Sequence, residues 1–314
     1  MKKILFVAMA ATMFAACTQN EELENAVSNK EMKFNTAVMS TTRATAITNE
    51  SFKTFTLYAY YGENDAEEII KGLDFTKTGE IWSTSDNKTF YWPGEAKVNF
   101  WGYSAVKADG NAKSESITDY NNKTFKFAVQ AAPANQEDLL VANVISLDSK
   151  SGGTASISFE HALTKMSFKV IGQKTSDDFS YSVTSITISA KDTETYDLSK
   201  KAWGNTSGTT PTTFTLTNPT DKIAGTTATN VTDVLMMIPQ TGATITVQYS
   251  VTAGNYTEAG LKKTFTFGEW TKGKNIAYTI TLPADKITPM TIVGTVEDGD
   301  WNTSSEETLT EPAA

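Results

Sequence analysis

The sequence predicts an all-β protein built as two β-sandwiches in tandem, and three observations carry that expectation. Apolar and polar residues alternate with a period of two through most of the chain, while helical periodicity is nearly absent. Short apolar-polar runs, bounded by Thr, Ser, Asn and Gly, recur at intervals of roughly 8–12 residues, the spacing of sandwich or barrel strands. The chain has 314 residues, room for one large domain or two ordinary ones, and at this length two sandwiches are favoured.

The elements follow in chain order. Met32, Phe34, Thr36 and Val38 alternate along one face of an expected strand. Phe55, Leu57, Ala59 and Tyr61 share a face, as do Phe125, Phe127 and Val129. Between them, aromatic residues cluster at Trp82, Phe90-Tyr91-Trp92, Phe100-Trp101 and Tyr103, which in a large all-β core are read as packing. Ala134 to Val144 is the one stretch expected to hold a short helix. Ile157, Phe159, His161 and Leu163 then carry odd numbers, whereas Met166, Phe168 and Val170 carry even ones. A slip of one residue turns every side chain to the opposite face, so a bulge or bend is required near Lys165. That break is where a strand would leave one sandwich and enter the next. The Thr/Gly/Asn/Pro-rich stretch from Lys200 to Asn230 reads as an excursion holding a short Phe214/Leu216 strand. Ile245, Val247, Tyr249 and Val251 give the clearest alternation, followed by Phe265/Phe267 and Ile276/Tyr278/Ile280/Leu282 with a loop at Trp270 to Asn275. Met290, Ile292, Gly294 and Val296 repeat the order seen at residues 32–38: Met, large apolar, small, Val.

The N-terminus is of another kind. Met1-Lys2-Lys3 is a positive n-region, and Ile4 to Ala11 is an apolar run too short to span a ~30 Å hydrocarbon core. Residues 1–16 are therefore read as an export signal. Phe14-Ala15-Ala16-Cys17 resembles the bacterial lipobox, with Phe14 where Leu is commoner. That resemblance implies acylation of Cys17, the only cysteine, which also excludes an internal disulfide framework. Thr18-Gln19-Asn20-Glu21-Glu22 resembles the signals that send lipoproteins of Bacteroidetes to the outer face of the outer membrane.

Composition narrows the function. A net charge of −9 and a pI of about 4.8 leave no Lys/Arg surplus to displace phosphate counterions, so nucleic acid is not an expected partner. The single histidine, His161, sits mid-strand among core-facing residues and is read as a core or bend-satisfying residue. No second His or Cys in the body could complete a zinc site or a Cys-His pair. Asp298, Asp300 and Asn302 alternate as calcium ligands do, but Thr303 replaces the sharp-turn glycine and Leu309 the bidentate Glu, so a turn is expected. Paired carboxylates for glycoside hydrolysis are defined by separation in space, which sequence does not give. The expectation is a protein that is not an enzyme and holds no metal or cofactor.

Taken together, several of these features resemble a known family. A lipobox is followed by Thr41-Thr42-Arg43-Ala44. Then come Phe159-x-His161-Ala162-Leu163-x-Lys165-Met166 and the hairpin-like Trp270-x-x-Gly273-Lys274-Asn275-x-x-Tyr278-x-Ile280-x-Leu282, with a last strand near Trp301. This arrangement is similar to the fimbrillin family, the type V pilus subunits of Bacteroidales. The resemblance implies two transthyretin-like β-sandwich domains, spanning 44–164 and 165–314. It implies a lipidated propeptide over 17–43, with palmitate or a similar acyl chain on Cys17 holding the precursor in the outer membrane. It further implies cutting after Arg43, before Ala44, by an arginine-specific protease, and polymerisation with other pilus subunits into a surface fimbrium that supports adhesion to a receptor on host or bacterial surfaces. In that reading Met32, Phe34, Thr36 and Val38 form the removable strand, and Met290, Ile292, Gly294 and Val296 the donor that replaces it.

One feature of the residues supports this separately. Arg43 is the only arginine among 27 basic residues, so an arginine-specific protease has one place to cut. The rival expectation is a surface lipoprotein that binds glycans through exposed aromatics, with Arg43 incidental.

Overall fold

The computed structural model describes residues 30–38, 49–106, 116–121, 123–150, 152–174, 179–204, 210–217, 223, 226–284, 288–296 and 306–309. Among these, the N-terminal half forms β1 (Lys33–Val38), β2 (Thr54–Tyr61), β3 (Glu67–Thr78), β4 (Ile81–Thr84) and β5 (Val98–Val106). It continues with β6 (Ile117–Asn121), β7 (Thr124–Ala128), β8 (Asp138–Leu147) and β9 (Thr154–His161). The C-terminal half opens with β10 (Thr164–Gly172), β11 (Phe179–Ala190), β12 (Thr193–Asp197), β13 (Ala202–Trp203), β14 (Thr212–Leu216) and β15 (Thr229–Met237). It closes with β16 (Thr244–Ala253), β17 (Tyr256–Thr266), β18 (Asn275–Leu282), β19 (Thr291–Val296) and β20 (Glu306–Leu309).

The chain is all-β, two sandwich domains in tandem. In the N-terminal half a seven-stranded sheet runs β1-β9-β8-β5-β2-β3-β4. One face closes over a core that includes Phe55, Leu57, Ala59, Phe100, Ile157 and Phe159. The C-terminal half packs a five-stranded sheet, β15-β10-β18-β19-β20, against a four-stranded one, β14-β11-β16-β17. The alternation seen at Ile245, Val247, Tyr249 and Val251 becomes one buried face of β16. Phe214 and Leu216 are buried in β14, paired to β11.

A fourth sheet joins the halves. Its order, β13-β12-β7-β6, takes two strands from each side of the chain. Residues 193–203 thus return across the 164/165 division to pair with β7 and reach β8, where Tyr196 Oη donates to Asn143 Oδ1 at 3.2 Å, while β6 and β7 cover the outer face of β2 and β5. There Tyr58 stacks on Tyr120 at 4.3 Å, and Phe125 stacks on Tyr196 at 5.7 Å. Lys272 reinforces this seam by donating to Glu160 Oε1 at 2.8 Å and to the Lys201 carbonyl at 3.1 Å.

The required break between parities is present. β9 ends at His161, Ala162 and Leu163 form the link, and β10 begins at Thr164 in another sheet. Both link residues are fully buried, and Trp203 Nε1 donates to the Ala162 carbonyl at 2.7 Å. Phe159, before the break, belongs to the N-terminal core; Met166, after it, to the C-terminal one.

Two expectations are corrected. The stretch from Ala134 to Val144 holds no α-helix: Pro133–Asn135 is a single 3₁₀ turn, and Asp138 begins β8. Its run Leu139-Leu140-Val141-Ala142 is buried on both faces because Leu139 and Val141 enter one core while Leu140 and Ala142 enter the other, and a strand buried on both faces loses the alternation that marks one. The loop at Trp270 to Asn275 is not a hairpin turn, since β17 and β18 stand in different sheets. The loop instead crosses to the link: Gly273 N donates to the Leu163 carbonyl, Lys165 N to that of Lys274, and Thr164 Oγ1 to that of Thr271, all at 2.8 Å.

Candidate functional site

The sequence singles out β1, and its setting is unusual. It is an edge strand whose residues, among the described ones, pair in the sheet with β9 alone, through a parallel ladder running from Lys33–Thr154 to Val38–Phe159. The two-residue period places Met32 and Val38 in the core, at 4% and 3% exposure, with Phe34 and Thr36 half-buried on the same side. Phe34 meets Phe75 edge-on at 4.8 Å. Lys33, Asn35 and Ala37 face outward.

Both ends of the strand are fastened by groups that sequence reasoning did not select. At the start, Lys33 N donates to the Gly153 carbonyl at 2.9 Å and Met32 N to that of Phe90 at 2.8 Å. The same Gly153 carbonyl accepts from Trp92 Nε1 at 3.0 Å. Gly153 has φ +87°, and a Cβ there would lie 3.1 Å from the Glu31 carbonyl, so both conformation and space call for glycine. At the end, Asn49 Oδ1 accepts from Val38 N at 2.7 Å while its Nδ2 donates to the Val38 carbonyl at 3.4 Å. The Gly152-Gly153 doublet was the one legible signal; Asn49 carried none.

The opposite edge of this sheet, β4, comes round to face β1. Between them lies a cleft of about 460 Å³ lined by Met32, Phe34, Phe75, Ile81, Trp82 and Phe90. Ile81 is 70% exposed at its rim. Trp82, Phe90, Trp92, Phe100 and Trp101 are all buried, which leaves Tyr91 as the one strongly exposed aromatic of the cluster.

The second selected segment, β19, has the same parity: Met290, Ile292 and Val296 are buried, with Gly294 between them on the same face. Its position differs, because it pairs with β18 on one side and β20 on the other. The structure does not bring β1 and β19 together; they belong to different sheets. Their directions follow from register. β9 runs toward the Ala162–Leu163 link and β1 is parallel to it, so β1 begins at the end of its sheet far from the link. β10 runs away from the link and β18 is parallel to it; β19 returns and β20 runs outward again, placing Leu309 opposite Ile292 at the far end of the C-terminal sheet.

His161 is buried at the end of β9, its Nδ1 2.9 Å from Asp138 Oδ2 at the start of β8. Among the described residues no group of three His, Cys, Asp or Glu is arranged to hold a metal ion. Cys17, Arg43, Ala44, Asp298, Asp300 and Asn302 lie outside the described residues.

A family model described as fimbrillin-like matches residues 42–301, most of the chain. The chain belongs to the fimbrillin-like family. No curated protein matches it in sequence. Solved structures share the fold. A fimbrial protein from Bacteroides vulgatus ATCC 8482 is 18% identical with a TM-score of 0.63, covering 89% of this chain and 99% of its own. A candidate cell adhesion protein from Bacteroides uniformis ATCC 8492 is 16% identical with a TM-score of 0.56, covering 87% and 98%. Another from Parabacteroides distasonis ATCC 8503 is 11% identical with a TM-score of 0.53, covering 91% and 98%. Membership in this family agrees with the resemblance drawn from residues 14–282.

Proposed function

We propose that this fimbrillin-like chain is a structural subunit of a cell-surface pilus, exported as a lipoprotein on Cys17, cut after Arg43 and polymerised by strand exchange. The observation that carries the reading is the edge position of β1, the only strand among the described residues that precedes Arg43.

The energetics favour a strand held mainly by its covalent connection. Burying Met32, Val38 and half of Phe34 contributes roughly 1.5–3 kcal/mol per fully buried side chain. Ordering the seven backbone residues from Met32 to Val38 costs about 1–2 kcal/mol each, so burial of these side chains does not by itself exceed the cost of ordering. While the chain is intact, β1 docks as an intramolecular event at high effective concentration; a cut after Arg43 removes that advantage. Departure of β1 would leave the β9 edge unpaired and Ala155, Ile157 and Phe159 uncovered, a template for an extended segment from a second subunit.

The proposed donor is the C-terminal strand around Met290, Ile292, Gly294 and Val296, which must first leave its own sheet. Acceptor and donor strands open toward opposite ends of the molecule. A contact between unlike ends does not close on itself and builds a filament.

Partners on this reading are other pilus subunits, the outer membrane through the lipid on Cys17, an arginine-specific protease, and a receptor bound by the finished fimbrium. Treatment of the purified chain with an arginine-specific protease should yield polymers on size-exclusion chromatography, and Arg43→Ala should remain monomeric. Polymers of equal length from Arg43→Ala would overturn the proposal.

A further inference from the structure

The C-terminal edge is fastened by a row of three residues across three strands. Tyr278 of β18 stands opposite Gly294 of β19, and Gly294 stands opposite Glu307 of β20. A Cβ on Gly294 would lie 2.5 Å from Tyr278 Cε1, so the absence of a side chain is what lets the tyrosine ring cross β19. Its hydroxyl comes within 3.5 Å of Glu307 Oε2. Burial, with the nearby Glu307 carboxylate, pushes the Tyr278 pKa above its ordinary value, so the phenol stays protonated and acts as the donor. The other carboxylate oxygen, Oε1, accepts the backbone N–H of Gly268. Gly268 lacks the Cβ that would collide with that oxygen. Gly294 thus clears space for the tyrosine ring and Gly268 for the carboxylate that its hydroxyl meets. Among the described residues β20 is otherwise held by four paired residues and the buried side chain of Leu309.

We infer that Glu307 is a latch that keeps the C-terminal strands in their own subunit, so that its release sets when they can be given to a neighbour. This deepens the strand-exchange reading and rests on it for the word donor; the latch itself is independent of polymerisation. With the latch closed, β19 has partners on both edges and nothing to offer. With it open, β20 peels away and β19 becomes an edge.

The test uses the full chain carrying Arg43→Ala, which stays monomeric, and reads amide hydrogen exchange at residues 291–296 and 306–309. Glu307→Ala removes the acceptor. Gly268→Ala keeps the carboxylate but drives a methyl group into it, at a position whose backbone tolerates alanine. Each should speed exchange of 306–309 about tenfold or more, the scale of a lost hydrogen bond to a charged group. The double variant should be no faster than either single one, since both break the same contact. Unchanged exchange in both single variants, or fully additive effects, would overturn the latch. In the Arg43 form, polymers should then grow several-fold faster after cleavage of Glu307→Ala than of wild type. Faster exchange with an unchanged rate of growth would leave the contact standing, remove its regulatory role, and count against the C-terminal strands as donor.

Discussion

Val38 stands opposite Phe159 at the last rung of the parallel ladder between β1 and β9, both side chains buried, two residues before the chain crosses into the second sandwich. Replacing Val38 by Ala removes two buried methyl groups at about 0.8 kcal/mol each, so the uncut Arg43→Ala chain should lose about 1–2 kcal/mol in denaturant unfolding. The same change should not alter the stability of polymers made after cutting, because β1 would no longer belong to them. An equal loss in both forms would mean that β1 stays in place.

Cys17→Ala should abolish incorporation of a fatty-acid probe and release the chain from the membrane fraction. Several acyl chains hold a protein far better than one, at about 0.8 kcal/mol per buried CH₂. Label persisting in the variant would show that Cys17 is not the anchor.

The donor segment is best resolved with peptides. Ile292 is wholly buried in its own sheet, so Ile292→Asp would report on folding before it reported on assembly. A peptide of residues 288–298, added during cleavage, should occupy the vacated groove and shorten the polymers. A peptide of residues 304–314 should do so less. The reverse order of potency would assign donation to β20 and its extension.

Asp65 ties the bridging sheet to the N-terminal sandwich, with Lys123 Nζ at 2.5 Å and Asn99 Nδ2 at 2.6 Å from its carboxylate oxygens. Burial raises its pKa, but the hydrogen bonds from Lys123 and Asn99 outweigh burial and leave it below its ordinary value. A folded pKa below the unfolded one, about 3.9 for Asp, means that the contribution is complete above that value and is lost as pH falls through the folded pKa. Wild type should exceed Asp65→Asn in thermal stability near neutral pH, and the difference should shrink under strong acid. A gap that widens in acid would contradict this assignment.

The sequence by itself determined the all-β class, the need for a parity break near Lys165, which the structure places at Ala162–Leu163, and the inward faces of β1, β16, β18 and β19. Each of these is a local pattern with a period of two, written in consecutive residues. Only the tertiary structure decided that β8 is a strand, because burial on both faces erased its alternation. It decided that β17 and β18 part company across two sheets, because Trp270 to Asn275 bonds to the distant link and not to its own flanks. It decided that β1 is an edge while β19, with a similar sequence, is not. The fastening of β1 by Asn49 and Gly153, and of β20 by Glu307, depends on residues brought together from remote positions. No run of neighbouring letters records how a sheet orders its strands, and that order is what makes one strand an edge and the other, of similar pattern, an interior strand.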